Sequence, residues 1–369
     1  KSRLVVLKVL DDDGRGRISD VIAALDYAVA HKSEFNIRVI NMSIGAGVYE
    51  SYNTDLLTLA AKRAVEEGIV VVAAAGNHGR NDEGVTQHGA ISAPGNAPWV
   101  ITVGAASHMG TASRADDTIA AFSSRGPTAY DHAAKPDLAA PGVGIYSLSS
   151  PGSTLYDRWT NYLLPGPAGV PGLPYQSLSG TSQAAPVVAG TVALMLQANP
   201  SLTPNAVKAI LQYTAEMYDG HSYLAQGAGF LNARGAVDLA LAFTTAPAAR
   251  APSPSEWSGQ VIWGNHQLQD GDLTSTANAW ATDVAWGAAT TDGTELVTWG
   301  ESCEGTECGV GGSGWVNWSA AQSVNIVWGD TCDGEDCETL WATSDDDIVV
   351  WGNSEGDIVV WGNCKDDIV

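Results

Sequence analysis

Two periods of apolar residues alternate along residues 1–245. Leu4-Val5-Val6-Leu7-Lys8-Val9-Leu10 is a nearly continuous apolar run, which predicts a buried strand. Ile18, Val21, Ile22, Leu25 and Val29 then recur at the spacing of one helix face. Residues 38–44 predict a second strand, residues 56–67 a helix stopped by Gly68, and residues 69–75 a third strand that is apolar throughout. Thr203 and Pro204 supply an N-cap and a first helical position for a helix carrying Val207, Ile210 and Leu211. Strands apolar on both faces and separated by helices imply an α/β fold with a doubly wound parallel sheet, whose functional groups sit at the carboxyl ends of its strands.

The pattern changes after residue 245. Residues 246–256 are small, Pro-rich and aperiodic, the composition of a semi-rigid linker. Residues 257–369 repeat a β-branched-Trp-Gly core at Trp263, Trp299, Trp328, Trp351 and Trp361, and Asp-Ile-Val-Val-Trp-Gly-Asn occurs twice, from Asp347 and from Asp357. Short apolar strands between acidic Gly/Asn turns predict a small β-rich region, and the uneven spacing argues against a regular propeller. A structural spacer and a binding module are both open readings of it.

Charge follows the same division. Residues 1–250 hold 17 Lys and Arg against 20 Asp and Glu, and residues 251–369 hold 1 against 21, so the tail carries −20 of the net −23. Such a tail would be repelled by nucleic acid and by anionic membrane surfaces, which excludes both as partners. No apolar run reaches the roughly 18 residues that suggest a membrane-spanning helix. All five cysteines lie in the tail. Cys303 with Cys308 and Cys332 with Cys337 fall in two copies of W-G-x-x-C-x-G-x-x-C, so each pair is expected to close a local disulfide worth less than the roughly 3 kcal/mol of a fifteen-residue loop. That chemistry belongs to an oxidising, extracellular compartment. Cys364 is left over, and a partner beyond Val369 would account for it.

The candidate chemistry centres on Ser179-Gly180-Thr181-Ser182-Gln183-Ala184-Ala185-Pro186, followed by Val187-Val188-Ala189-Gly190. A serine at a glycine-supported turn into a helix presents its Oγ and its backbone N–H beside the positive end of the helix dipole. Pro186 is expected within the first helical turn, where a missing N–H costs little. The alternative is a Ser/Gly/Ala turn with structural work only.

This segment resembles the active-serine segment of the subtilisin-like serine proteases. Residues 40–45 (I-N-M-S-I-G), 70–77 (V-V-V-A-A-A-G-N), 122–127 (F-S-S-R-G-P) and 135–142 (K-P-D-L-A-A-P-G) resemble further segments of that family, in family order. The resemblance implies a subtilisin-like fold and a serine endopeptidase that acts on proteins or peptides through an acyl-enzyme on Ser182. It implies a carboxamide at Asn77 that helps to stabilise the oxyanion, where the related serine-carboxyl peptidases use an aspartate; a turn asparagine is the competing reading. Ser43, Ile44 and Gly45, and Ala74, Ala75 and Gly76, resemble the two segments that flank the first specificity pocket and pair with an extended substrate. Residues 150–176 are longer than the corresponding family loop and are expected to shape or cover the cleft.

The family's D-[ST]-G and H-G-T-H motifs are both absent, so the chain is expected to begin just past the triad aspartate and histidine, and alone to be nearly inert. His31, His78, His88, His108 and His132 read as loop or surface histidines, with only His78 near the chemistry. The reaction needs no cofactor. Structural calcium is implied by the resemblance alone, and Asp11-Asp12-Asp13-Gly14 reads as a solvated acidic turn, its spacing lacking the ligand alternation of a calcium loop. A monomer is expected. Because every catalytic segment precedes the linker, removal of residues 251–369 is expected to spare hydrolysis of small peptides. The alternative is a non-catalytic surface or binding protein on a degenerate protease core, which would have no reason to keep both Ser182 and Asn77.

Overall fold

A computed structural model describes residues 2–81, 84–167, 171–245 and 256–263, together with the backbone of short strands at 266–269, 285–291, 295–298 and 348–350. Four parallel strands form its centre, in the order Val39–Met42, Val70–Ala74, Ile101–Ser107 and Leu138–Pro141. Thr118–Ile119 adds a short antiparallel pairing to the end of Ile101–Ser107. Val70–Ala74 is buried at all five positions and divides its side chains by alternation. Val70 and Val72 join one core with the helices Thr181–Ala198, Pro204–Tyr213 and Ala233–Thr245. Val71 and Ala73 join the other with Ile18–Ala30 and Leu56–Glu66. Helices on both faces of a parallel sheet make the doubly wound arrangement that the periodicity implied.

Local chemistry sets the helix ends. Asp55 accepts from the Thr58 N–H at 2.7 Å to cap Leu56–Glu66, and Gly68 beyond it turns with φ +78°. Thr203 accepts from the Ala206 N–H at 3.2 Å, with Pro204 in the first turn. Beneath the sheet, Asp137 accepts from Lys135 Nζ and Lys208 Nζ, both at 2.9 Å, and from Gln212 Nε2 at 3.0 Å. Burial pushes the Lys208 ammonium well below its usual pKa, against the pull of Asp137.

Two expectations change. The run Leu4–Leu10 forms no strand: residues 2–8 are exposed, with Leu4 at 88% and Val6 at 83%. A strand is defined by a neighbour, and no ladder among the described residues takes this run in. The second change concerns the start of the Trp-Gly region. Gly259 N–H donates to Tyr213 O at 3.1 Å, Ser258 N–H to Ala215 O at 2.7 Å and Ile262 N–H to Gln212 Oε1 at 2.6 Å, while Val261 and Ile262 are 3% and 1% exposed. Residues 258–262 are therefore packed on the core, and packing does not break at residue 256. The later repeats and all the cysteines lie outside the described residues.

Removing residues 251–369 thus strips core contacts as well as the acidic repeats. A chain ending at residue 263 is expected to keep nearly the thermal stability of the full chain. One ending at residue 255 loses two buried aliphatic side chains worth roughly 1.5–3 kcal/mol each, and its Tm should fall by about 6 °C or more. Calorimetry of the two truncations checks this.

Candidate active site

The carboxyl ends of two adjacent parallel strands deliver the site. Met42 is in register with Ala73, so Ser43–Gly45 and Ala74–Gly76 leave the sheet side by side. Ala75 and Gly76 are then fully engaged by the fold. Ala75 donates to Val103 O and accepts from Ser92 N–H, while Gly76 accepts from Ser124 N–H and donates to Thr181 Oγ1. Gly76 holds φ +104°, and a methyl there would lie 2.6 Å from Ser92 Oγ, so only glycine fits. Ile44, Ala74 and Ala75 are buried, whereas Ser43 and Gly45 are part-exposed.

Asn77 follows immediately. Its Oδ1 accepts from both Thr181 N–H and Thr181 Oγ1, each at 2.9 Å. A backbone N–H can only donate, so the carboxamide must present oxygen to Thr181, and Nδ2 is left as a donor without an acceptor among the described residues. The helix Thr181–Ala198 begins here, with Gly180 as N-cap at φ +149°. Its first N–H groups are accounted for one by one. That of Thr181 goes to Asn77, and those of Gln183 and Ala184 go to Gly180 O; that of Ser182 has no partner among the described residues. A methyl on Gly180 would lie 3.5 Å from Asn77 Nδ2 and 3.7 Å from Ser182 N. Two free donors thus converge on the space that Gly180 leaves empty, at the positive end of an 18-residue helix.

Ser182 keeps 8% of its surface, and its Oγ bonds to no described residue. Pro186 is the sixth residue of the helix, past the first turn where the motif placed it, because the helix already starts at Thr181. The Ser182 carbonyl, which an N–H at residue 186 would otherwise meet, accepts instead from Ser43 Oγ at 2.7 Å.

Thr181 was missed by sequence reasoning although it stands inside the quoted motif, since its bonds span 104 residues. Ser123 and Ser124 were also missed as supports: Ser124 Oγ accepts from His78 N–H at 3.0 Å, and Ser123 Oγ from Ala105 N–H at 3.0 Å. Residues 150–176 contribute strands at Leu163–Leu164 and Tyr175–Leu178 to a three-stranded antiparallel sheet with Ile145–Leu148, which runs directly into the serine turn.

The subtilase family (peptidase S8) matches residues 1–235. The chain belongs to it. The chain is 38% identical to the serine protease AprX of Bacillus subtilis over 242 residues, which are 64% of this chain and 52% of that protein. It is 34% identical to the subtilisin of Bacillus pumilus over 235 residues, 64% of this chain and 68% of that one. Among solved structures, sphericase is 27% identical over 61% of this chain and 66% of its own, with a TM-score of 0.47. Fervidolysin of Fervidobacterium pennivorans is 29% identical over 66% and 30%, with a TM-score of 0.45. The chain spans about half the length of the first curated relatives it matches.

In this subtilase no histidine among the described residues bonds to Ser182. His88 lies in a loop, as expected, but is buried there, and its Nδ1 lies 2.9 Å from Gly126 O. The Asp11 carboxylate receives the Asp13 and Arg15 N–H groups, so the acidic turn is closed on itself. Among the described residues no three His, Cys, Asp or Glu side chains are placed to hold a metal ion, and no helix is long and apolar enough to cross a membrane.

Burial pushes the His78 imidazole down to about 4. The folded state therefore prefers neutral His78, and the preference is fully present above the unfolded value of about 6.5 and is lost as pH falls toward 4. Burial lowers His88 and His221 in the same direction. Thermal stability is expected to fall between about pH 6.5 and pH 4, and His78→Gln should flatten part of that slope, as melting curves across this range would read directly.

Proposed function

We propose that this subtilase chain carries the nucleophile and the oxyanion site of an extracellular serine endopeptidase acting on proteins or peptides. The observation that carries the reading is the convergence of the free Ser182 N–H and Asn77 Nδ2 beside the unbonded Ser182 Oγ. Ser182 Oγ would attack the scissile carbonyl and form an acyl-enzyme, its proton passing to a histidine and then to the leaving amine. The carbonyl oxygen, negative in the tetrahedral intermediate, would rest between the two donors. The histidine and its aspartate are supplied, in this reading, by sequence upstream of Lys1. His78 bonds to no group of Ser182, and desolvation that pushes its imidazole down to about 4 makes it a poor base. Calcium has no step in the reaction.

An extended substrate would pair along Ser43–Gly45. The backbone of Ala75 and Gly76 is already engaged, so Ala74–Gly76 serves as the opposing wall. The small, uncharged wall would admit an apolar side chain. Opposed to this stands the non-catalytic binding protein, which needs none of the free donors.

In the full-length protein, a fluorophosphonate probe is expected to label Ser182, and Ser182→Ala to abolish both labelling and peptide hydrolysis. Labelling that persists in the alanine variant moves the nucleophile elsewhere; no labelling of the full-length protein favours the binding protein. Asn77→Ala should lower kcat by roughly 100–1,000-fold, the range that loss of the oxyanion asparagine costs in subtilisin itself.

A further inference from the structure

We infer that Ser43 is a positioning residue for the nucleophile and does this work through the Ser182 carbonyl that Pro186 leaves open. The inference rests on Ser182 being the nucleophile of a serine peptidase. Three observations carry it. Pro186 stands four residues after Ser182 in the helix Thr181–Ala198, so it has no N–H to give to the Ser182 carbonyl, and its ring crowds that oxygen away from the helix axis. Ser43 Oγ donates to that carbonyl at 2.7 Å, across 139 residues of sequence. Asn41 Nδ2 donates to Ser43 Oγ at 2.9 Å, which uses the hydroxyl as an acceptor and directs its one proton to Ser182 O.

The consequence is mechanical. The Gly180–Thr181 peptide, one residue before the nucleophile's own N–H, is held by Asn77 Oδ1, while the plane holding the Ser182 carbonyl is fixed by Ser43. The nucleophile's backbone is thereby clamped on both flanks, and one clamp comes from the segment along which substrate would lie. A misplacement of Oγ by about 1 Å can cost on the order of 100-fold in the chemical step. Removal of the Ser43 hydroxyl leaves the backbone of residues 43–45 in place, so the loss should fall on kcat.

The test is a double-mutant cycle in the full-length protein. Ser43→Ala is expected to lower kcat about tenfold with KM changed less than twofold, and to slow fluorophosphonate labelling by a similar factor. Ser43→Thr keeps the hydroxyl and should recover most of the rate. Pro186→Ala restores an N–H at residue 186 to meet the Ser182 carbonyl, so in that background Ser43→Ala should cost less than twofold. An equal loss in both backgrounds, or a loss confined to KM, overturns the inference, as does no loss in the wild-type background. Ser43→Cys read in the same cycle replaces the alanine variant if that variant does not fold. The same four proteins melted thermally read the bond without any activity: non-additive shifts in Tm support it, and additive shifts reject it. A protein that takes no probe at Ser182 yet shows the Tm coupling would refute the peptidase reading and leave the bond standing.

Discussion

Two donors on Thr181, its N–H and its hydroxyl, meet one acceptor, Asn77 Oδ1, and every other group at the site takes its orientation from that contact. It joins the end of the strand Val70–Ala74 to the start of the helix Thr181–Ala198. It also decides which face of the carboxamide is offered outward, because the oxygen is consumed and the nitrogen is not. The hydroxyl of Thr181 accepts in turn from Gly76 N–H at 3.1 Å, so the glycine turn before Asn77 belongs to the same network. Rotating the carboxamide would set two donors against a backbone N–H, the kind of buried mismatch that costs about 1–3 kcal/mol. Preorganisation here is a matter of satisfied partners: three of the first four helix N–H groups are paired, and the unpaired one belongs to Ser182.

The sheet makes that contact possible. Four parallel strands in consecutive register bring Ser43, Asn77 and Gly142 to one edge, and Gly180 N–H donates to Gly142 O at 2.8 Å. The helix that carries Ser182 packs against strands Val39–Met42, Val70–Ala74, Ile101–Ser107 and Leu138–Pro141. Its buried face includes Ala184, Ala185 and Val188, all 0% exposed, so its first turn cannot shift without disturbing close-packed core. Small residues at these positions let the helix approach the sheet, and close approach puts Thr181 within reach of Asn77.

Much of this was legible in the sequence because periodicity and caps are local signals. The apolar run at Val70–Ala74, the Gly68 stop and the Thr203 cap with Pro204 all appear where the pattern put them. The segments that hold Ser182 and Asn77 were legible through ordered motifs, and the family match covers both. Leu4–Leu10 was not, because an apolar run states that a strand could be buried and says nothing about whether a neighbour exists to pair with it. The start of the tail failed for a related reason. The docking of Ile262 on Gln212 depends on a long-range fit that composition does not carry. Pro186 was misplaced by one turn because the helix start was read from the wrong side of the motif. The error matters, since a proline in the first turn frees no carbonyl and one at the sixth position does.

The largest buried charges are tolerated because partners face them. Lys135 and Lys208 are 2% and 1% exposed, and Asp137 lies between them. One carboxylate cannot neutralise two ammoniums, so backbone oxygens take the remaining protons: Val100 O accepts from both lysines, and Pro98 O from Lys208. Val100 immediately precedes the strand Ile101–Ser107, and Thr102 N–H donates to Asp137 Oδ2 at 2.7 Å. The charged cluster therefore ties the entry of that strand to Leu138–Pro141, while Asn77 Nδ2 and the Ser182 N–H lie at the opposite, carboxyl ends of the sheet. Charge sits where it secures register, and the end that would receive a negative oxygen is left with uncharged donors whose capacity is unspent.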